Sequence, residues 1–262
     1  MRWIHDLLRR GAAGAAAGAS LLAVLVCAVP AAGAAGNGMA LWRVVHDMCV
    51  PDARLTGHPA PCAKVDVARG YAIVKDLQHP TQLLLVPTAR ITGVEDPRLQ
   101  DPDEPNYWML AWENRSLVER RARRPLPREQ VGLVVNSAYA RTQSQLHIHI
   151  DCLRADVAQA LADHLQEIGP QWRPLKLDLA GRWYLARWIP ESELATRDPF
   201  KLLADYPDRA EMARQTLVLA GASSADRGPG FVLLTDQWDT ATGDGGHGED
   251  LLDHGCRGGG VA

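Results

Sequence analysis

The sequence predicts an α+β fold, an antiparallel β-sheet with flanking helices, behind an N-terminal export or anchoring segment. Short runs rich in Val, Ile, Leu and Tyr, bounded by Pro, Gly and Asp, recur along the chain and read as strands. Residues 145–153 alternate strictly between apolar and polar side chains, the pattern of a strand with two unlike faces. Residues 156–168 carry Val157, Leu161, Leu165 and Ile168 on one helical side and stop at Gly169-Pro170. A chain of 262 residues, 47% hydrophobic and 23% charged, is long enough for a sizeable core and excludes wholesale disorder or a collagen-like repeat. Lys+Arg 28 against Asp+Glu 31 gives no support to a general electrostatic grip on nucleic acid.

Arg2, Arg9 and Arg10 precede a stretch without charge that lasts until Arg43. Residues 11–29 are small or apolar apart from Ser20 and Cys27, and eleven of these 19 are Ala or Gly, so the segment is weakly hydrophobic for a permanent anchor. Ala32-Gly33-Ala34 has the small-x-small character of a signal peptidase site, and residues 1–36 read either as a signal peptide or as a single-pass anchor. The flanking arginines place the chain beyond about Gly36 outside the cytoplasm in both cases. Once Cys27 is set aside with the leader, Cys49, Cys62, Cys152 and Cys256 form an even set in an oxidising compartment. Three pairings are arithmetically open. Cys49 with Cys62 is favoured because the two flank a short Pro- and Gly-containing loop, which leaves Cys152 with Cys256 unless Cys152 is a buried thiol.

Along the rest of the chain, residues 41–48 suit a short amphipathic helix, followed by the cysteine loop. Strands are expected at 70–75 and 82–86, joined through His79-Pro80, and Pro87 ends the second. Residues 106–124 suit one amphipathic helix whose basic end, Arg115 to Arg124, is either a solvated face or a grip on lipid phosphates. Strands come next at 133–137 and 145–153, and the helix over 156–168 is expected to cover the apolar face of the latter. Further strands read at 175–179, 183–189, 217–220 and 231–235, with a helix near 209–215. Eight glycines in residues 240–262 predict a flexible tail unless Cys256 ties it down. The expected division is a leader over 1–36, a catalytic domain over 40–240 and a tail over 241–262.

Chemistry concentrates on the strand at 145–153. Leu146, Ile148, Ile150 and Cys152 share one face, while Gln145, His147, His149 and Asp151 share the other, which is poor core filling and good site material. Three readings compete: a solvated strand with incidental histidines, a metal site with His147, His149 and Asp151 as ligands, and nucleophilic catalysis by a neutral imidazole on phosphorus. The last is favoured by Asn136, Arg141, Thr142, Gln143 and Ser144, which supply one charge and several neutral donors just ahead of the histidines. Phosphate-binding glycine loops, a nucleophile elbow and a dinucleotide-binding glycine pattern are absent from the sequence.

Asn136 and the run Arg141-Thr142-Gln143-Ser144-Gln145-Leu146-His147-Ile148-His149-Ile150 resemble the active-site strand of the histidine-triad (HIT-like) superfamily. Trp42, Cys49-Val50-Pro51, Pro61-Cys62, Gly70-Tyr71-Ala72, Arg90-Ile91-Thr92-Gly93, Pro105-Asn106-Tyr107 and Asp253-His254-Gly255-Cys256 are together similar to the bacterial CDP-diacylglycerol diphosphatases, from about residue 40 to 256. The resemblance implies a HIT-like sheet and cleavage of CDP-diacylglycerol by water to CMP and phosphatidate. It further implies work at a bacterial membrane without cofactor or dedicated metal; with the arginine-flanked leader this means the periplasmic face of the inner membrane, or export if the leader is cut, and the charge balance leaves nucleic acid out. By position, His149 is the implied nucleophile and His147 the preceding triad histidine. Gln143 and Ser144 are implied to meet phosphate or the leaving oxygen. Asn136, Arg141 and Arg90 are candidates for phosphate binding. Asp151 stands where the superfamily has its third histidine, either accepting a hydrogen bond from an imidazole or playing no catalytic part; Arg90 stands where many members have a histidine, either on phosphate or capping a helix. An envelope metallohydrolase and a secreted lipid-binding protein stay open as alternatives.

Overall fold

Leu41, Val45, Cys49 and Val50 recur at helical spacing, and they bury one side of a helix that runs well past the predicted end. This computed structural model describes residues 38–205, 209–239, 241 and 246–258, so the leader read over 1–36 lies outside it. The helix consists of α1 (Ala40–Arg43), a π-helical turn (Val44–Cys49) and α2 (Val50–Thr56), and ends at Gly57 in the left-handed conformation. Pro51 does not break it. The proline falls in the first turn of α2, and the widened π turn just before relieves the clash its ring makes in a regular helix.

Next come β1 (Lys64–Asp66), β2 (Tyr71–Lys75), β3 (Leu83–Pro87), α3 (Tyr107–Glu113), α4 (Ser116–Ala122), β4 (Val131–Val135), β5 (Ile148–Leu153) and α5 (Ala155–Asp163). They are followed by β6 (Arg173–Pro174), β7 (Leu185–Pro190), α6 (Pro199–Ala204), β8 (Gln215–Ser224), β9 (Gly228–Gln237) and β10 (Leu252–Asp253). The predicted helix over 106–124 is two helices. Asn106 caps the first through Met109 N–H, and the buried Asn114 turns its amide back to Leu110 O and across to Tyr71 Oη, which ends the first before Ser116 opens the second. The strand expected at 175–179 is absent: only Leu179 bridges to Arg182, and the short β6 lies just before it. Helix α6, not among the expected elements, is announced by Asp198-Pro199, an N-cap followed by proline in the first turn.

All described strands join one antiparallel sheet in the order β1-β2-β3-β5-β4-β8-β9-β7-β6. Strand β3 leaves β5 at the Leu83–Ile150 pair, and β10 takes up the line from there, pairing Asp253 with Cys152 and Leu252 with Leu153. Thus part of the predicted tail is in the sheet, fastened by the Cys152–Cys256 disulfide. Cys49–Cys62 is the other disulfide, as favoured from the loop between them.

The strict alternation of β5 holds, but the covering helix is on the other side. Leu146, Ile148, Ile150 and Cys152 pack against Tyr107, Trp108, Leu110, Ala111 and Val118 of α3 and α4, whose aromatic bulk fills that layer. Leu153 turns the chain onto the opposite face, where Val157, Leu161, Leu165 and Ile168 pack with Val134, Val218, Ala220 and Trp188. A third cluster on that second face joins Leu41, Val45, Cys49, Val50 and Cys62 to Ala72 and Val86, with Val44, Val74 and Leu84 at its fringe. The histidine face of β5 falls between these two clusters.

Candidate active site

His149 stands on β5 opposite Leu84 of β3 and Val134 of β4, so apolar side chains bracket the ring and it is almost wholly buried. Its Nδ1 lies 2.6 Å from Glu249 Oε1. A carboxylate only accepts, which assigns the proton of the neutral ring to Nδ1 and gives its Nε2 the lone pair. Nε2 is buried and has no hydrogen-bond partner among the described residues. Gln82 Nε2 sits 2.9 Å from the same Nδ1 and turns its hydrogens to Asp76 Oδ2 at 3.1 Å and Glu249 Oε1 at 3.4 Å. Asp76 also accepts from the N–H groups of Gln78 and His79, so one side chain orders the β2–β3 loop and holds Gln82 in place.

Glu249 arrives from a 3-10 turn (Gly248–Leu251) set directly on the sheet. A Cβ on Gly248 would come within 2.8 Å of Val134 Cγ1, so glycine is what lets this turn approach. Asn136 Nδ2 donates to Glu249 Oε2 at 2.7 Å. Burial on its own pushes the Glu249 carboxyl upward, but His149 and the Asn136 amide outweigh it and hold the group well below the usual carboxylate range.

His147 donates from Nδ1 to Gln145 O at 2.7 Å and meets the His149 ring edge-on, centroids 4.9 Å apart. Burial, with His149 adding to it, pushes the His147 imidazole down to about 4. In the unfolded chain the same ring protonates near 6.5. Between those values the unfolded state binds more protons, so stability falls as pH drops through that window, by about 3 kcal/mol from this group. Urea unfolding of wild type and His147→Gln at pH 7 and pH 4 is expected to show a shallower pH dependence in the variant by that amount. Equal slopes would mean that His147 is not held neutral by burial.

Asp151 belongs to a second, adjoining group. Its Oδ1 accepts from Thr81 Oγ1 at 2.7 Å and Cys152 N–H at 2.9 Å, and its Oδ2 accepts from His254 Nδ1 at 3.0 Å. The imidazole it serves is therefore His254, which stacks on His79 at 3.9 Å and is raised by the Asp151 hydrogen bond. The ligand atoms of His147, His149 and Asp151 do not converge. Among the described residues, Asp151 gathers with Cys152 and Cys256, whose sulfurs are bound to each other. The three-ligand metal reading therefore has no geometric support.

The residues ahead of β5 mostly hold the frame. Arg141 is clamped on Glu95 through both guanidinium nitrogens at 2.6 and 2.5 Å. Gln143 Oε1 accepts from Leu41 N–H at 3.0 Å, tying this loop to α1. Arg90 donates to Ser144 O and to Gln145 Oε1 at 2.9 Å, and touches Met39 Sδ at 3.1 Å; it caps no helix here. Ser144 itself donates its N–H to Gly38 O at 2.6 Å. In the basic helix end, Arg121 donates to the carbonyls of Pro80, Asp76 and His79, and Arg124 to Cys256 O, so these two staple the loops behind the site rather than forming a solvated face.

A cleft of about 530 Å³ opens over the site. His147, His149, Glu249, Asn136, Arg141 and Gln143 line it, together with Lys75, which has no acidic partner among the described residues. Ser144 and Arg90 are not in its lining. A protein-family model described as CDP-diacylglycerol pyrophosphatase matches residues 36–259. The chain belongs to that family. A CDP-diacylglycerol pyrophosphatase is a hydrolase of a phosphorus anhydride bond, and the cleft offers a ring nitrogen and buried amides that suit such a reaction. Sequence reasoning did not single out Glu249 or Gln82. Glu249 sits in a glycine-rich stretch a hundred positions from its histidine, where no spacing rule reaches. His254 stood in a quoted motif but without a role.

Proposed function

We propose that this CDP-diacylglycerol hydrolase works by nucleophilic catalysis at His149, on a HIT-like sheet, at the periplasmic face of a bacterial inner membrane. The observation that carries the mechanism is the buried His149 Nε2, unpartnered, while Nδ1–H is fixed on Glu249. Attack by Nε2 forms an N–P bond to the cytidylyl phosphorus and breaks the P–O bond to phosphatidate, which leaves with the electron pair. Positive charge that develops on the ring is met by the ionised Glu249. Water then attacks the same phosphorus, the N–P bond breaks, CMP leaves and the imidazole is regenerated. Asn136, through Glu249, and Gln143, through Leu41 N–H, keep the two walls of the cleft in register. The arginines at the start of the chain, the apolar stretch after them and the even cysteine set support the envelope location, with residues 1–36 as leader or anchor and a catalytic domain after it.

Acid-stable linkages are not expected of a phosphoramidate, so the test is a rapid quench into alkali. With substrate labelled at the cytidylyl phosphorus and EDTA present, wild-type protein is expected to hold alkali-stable label that acid releases as CMP. Steady CMP release with no label on the protein at any time would favour direct attack by water.

A further inference from the structure

Resting on that reading, we infer that the apolar half of the cleft takes the glycerol-proximal part of the substrate's acyl chains, while the rest of each chain stays in a lipid layer met by Leu77. The strand order β2-β3-β5-β4 puts His149 between two unlike walls. On the β4 side the lining is polar: Asn136, Arg141, Thr142 and Gln143. On the β2–β3 side the helix and strands give an apolar floor, Leu41, Val44, Val74 and Leu84, and the loop after β2 adds Leu77 beside the polar Asp76, Gln78 and His79. Val44, Val74 and Leu84 are half-buried, packed below on the third apolar cluster and bare above. The floor made by Leu41, Val44, Val74 and Leu84 carries no side-chain hydrogen-bonding group to pair with a cytosine edge, whereas Asn136, Thr142 and Gln143 on the opposite wall do. A substrate with a nucleotide on one side of the attacked phosphorus and two hydrocarbon chains on the other fits that asymmetry in one orientation.

Size then decides how much of the lipid enters. At about 30 Å³ for each water-sized group, the cleft takes fewer than about twenty such groups, far short of a nucleotide with two long chains. The chains must therefore run out through the mouth. Leu77 lines the cleft yet is 97% exposed, an apolar side chain at the exit that none of the described residues covers.

The test compares CDP-dihexanoylglycerol, CDP-dioctanoylglycerol and CDP-dioleoylglycerol, the last in detergent micelles, as substrates for wild type, Val44→Trp and Leu77→Asp. Wild-type kcat/KM is expected to rise with chain length. Val44→Trp fills the apolar half and Leu77→Asp places a charge at its exit, so each is expected to cut the dioleoyl-to-dihexanoyl ratio about tenfold. A uniform loss across the three substrates, or an unchanged ratio in Leu77→Asp, would overturn the assignment; the latter variant changes a side chain outside the core, so misfolding does not blur the result. Absence of CMP release by wild type from all three substrates would instead overturn the underlying reading, before any variant is compared.

Discussion

His149→Ala is expected to lower turnover of CDP-diacylglycerol by at least about 10⁴-fold, a loss of about 5.5 kcal/mol of transition-state stabilisation. The alanine removes the Nε2 lone pair, and no other described group stands in the same place: His147 has its ring edge against His149, and Asp151 is spent on Thr81, Cys152 and His254. The ring lies at the boundary between two apolar clusters rather than inside one, so the fold should survive its truncation. Steady-state CMP release in EDTA, beside a thermal melt of each protein, checks both points. A folded variant that keeps more than about a hundredth of wild-type turnover would move the nucleophile elsewhere.

Loss of the Cys152–Cys256 disulfide is expected to have the largest effect on stability. Its partners are 104 residues apart, against 13 for Cys49 and Cys62. Closing a loop of that length restricts the unfolded chain by about 4.7 kcal/mol in the chain-entropy account, against about 3 kcal/mol for a loop of some fifteen residues. The bond also holds β10 against β5, and with it the turn that brings Glu249 to His149. Cys152→Ala/Cys256→Ala is therefore expected to lose about 4 kcal/mol in urea unfolding and to lose turnover, while Cys49→Ala/Cys62→Ala loses less of both. Equal losses in the two double variants would show that the C-terminal segment stays docked without its covalent tie.

The histidine strand is legible in the sequence because its information is local: alternation of period two separates Ile148 and Ile150 from His147 and His149 without reference to the rest of the chain. The disulfides are nearly as legible, since four cysteines with one short loop leave little choice. What packs on which face is not. Both α4 and α5 present apolar sides of suitable period, and only the turn at Leu153 determines that α5 goes to the histidine face. Arg90 and Arg141 look like phosphate ligands by residue type, but the carbonyl of Ser144 and Glu95 claim them first. Glu249 is the clearest case of information that is not local. It lies among glycines that predict looseness, yet Gly248 is there to let the turn sit against Val134.

Strand β10 completes the edge that β3 abandons, and this sets the order in which the site comes into being. A ribosome adds about 5–20 residues per second, so Glu249 emerges about 5–20 s of synthesis after His149. During that interval His149 is without the carboxylate that fixes its tautomer, and β5 has no neighbour beside Cys152 and Leu153 on that side. The surroundings of His149 are therefore completed late, when the segment carrying Glu249, His254 and Cys256 docks.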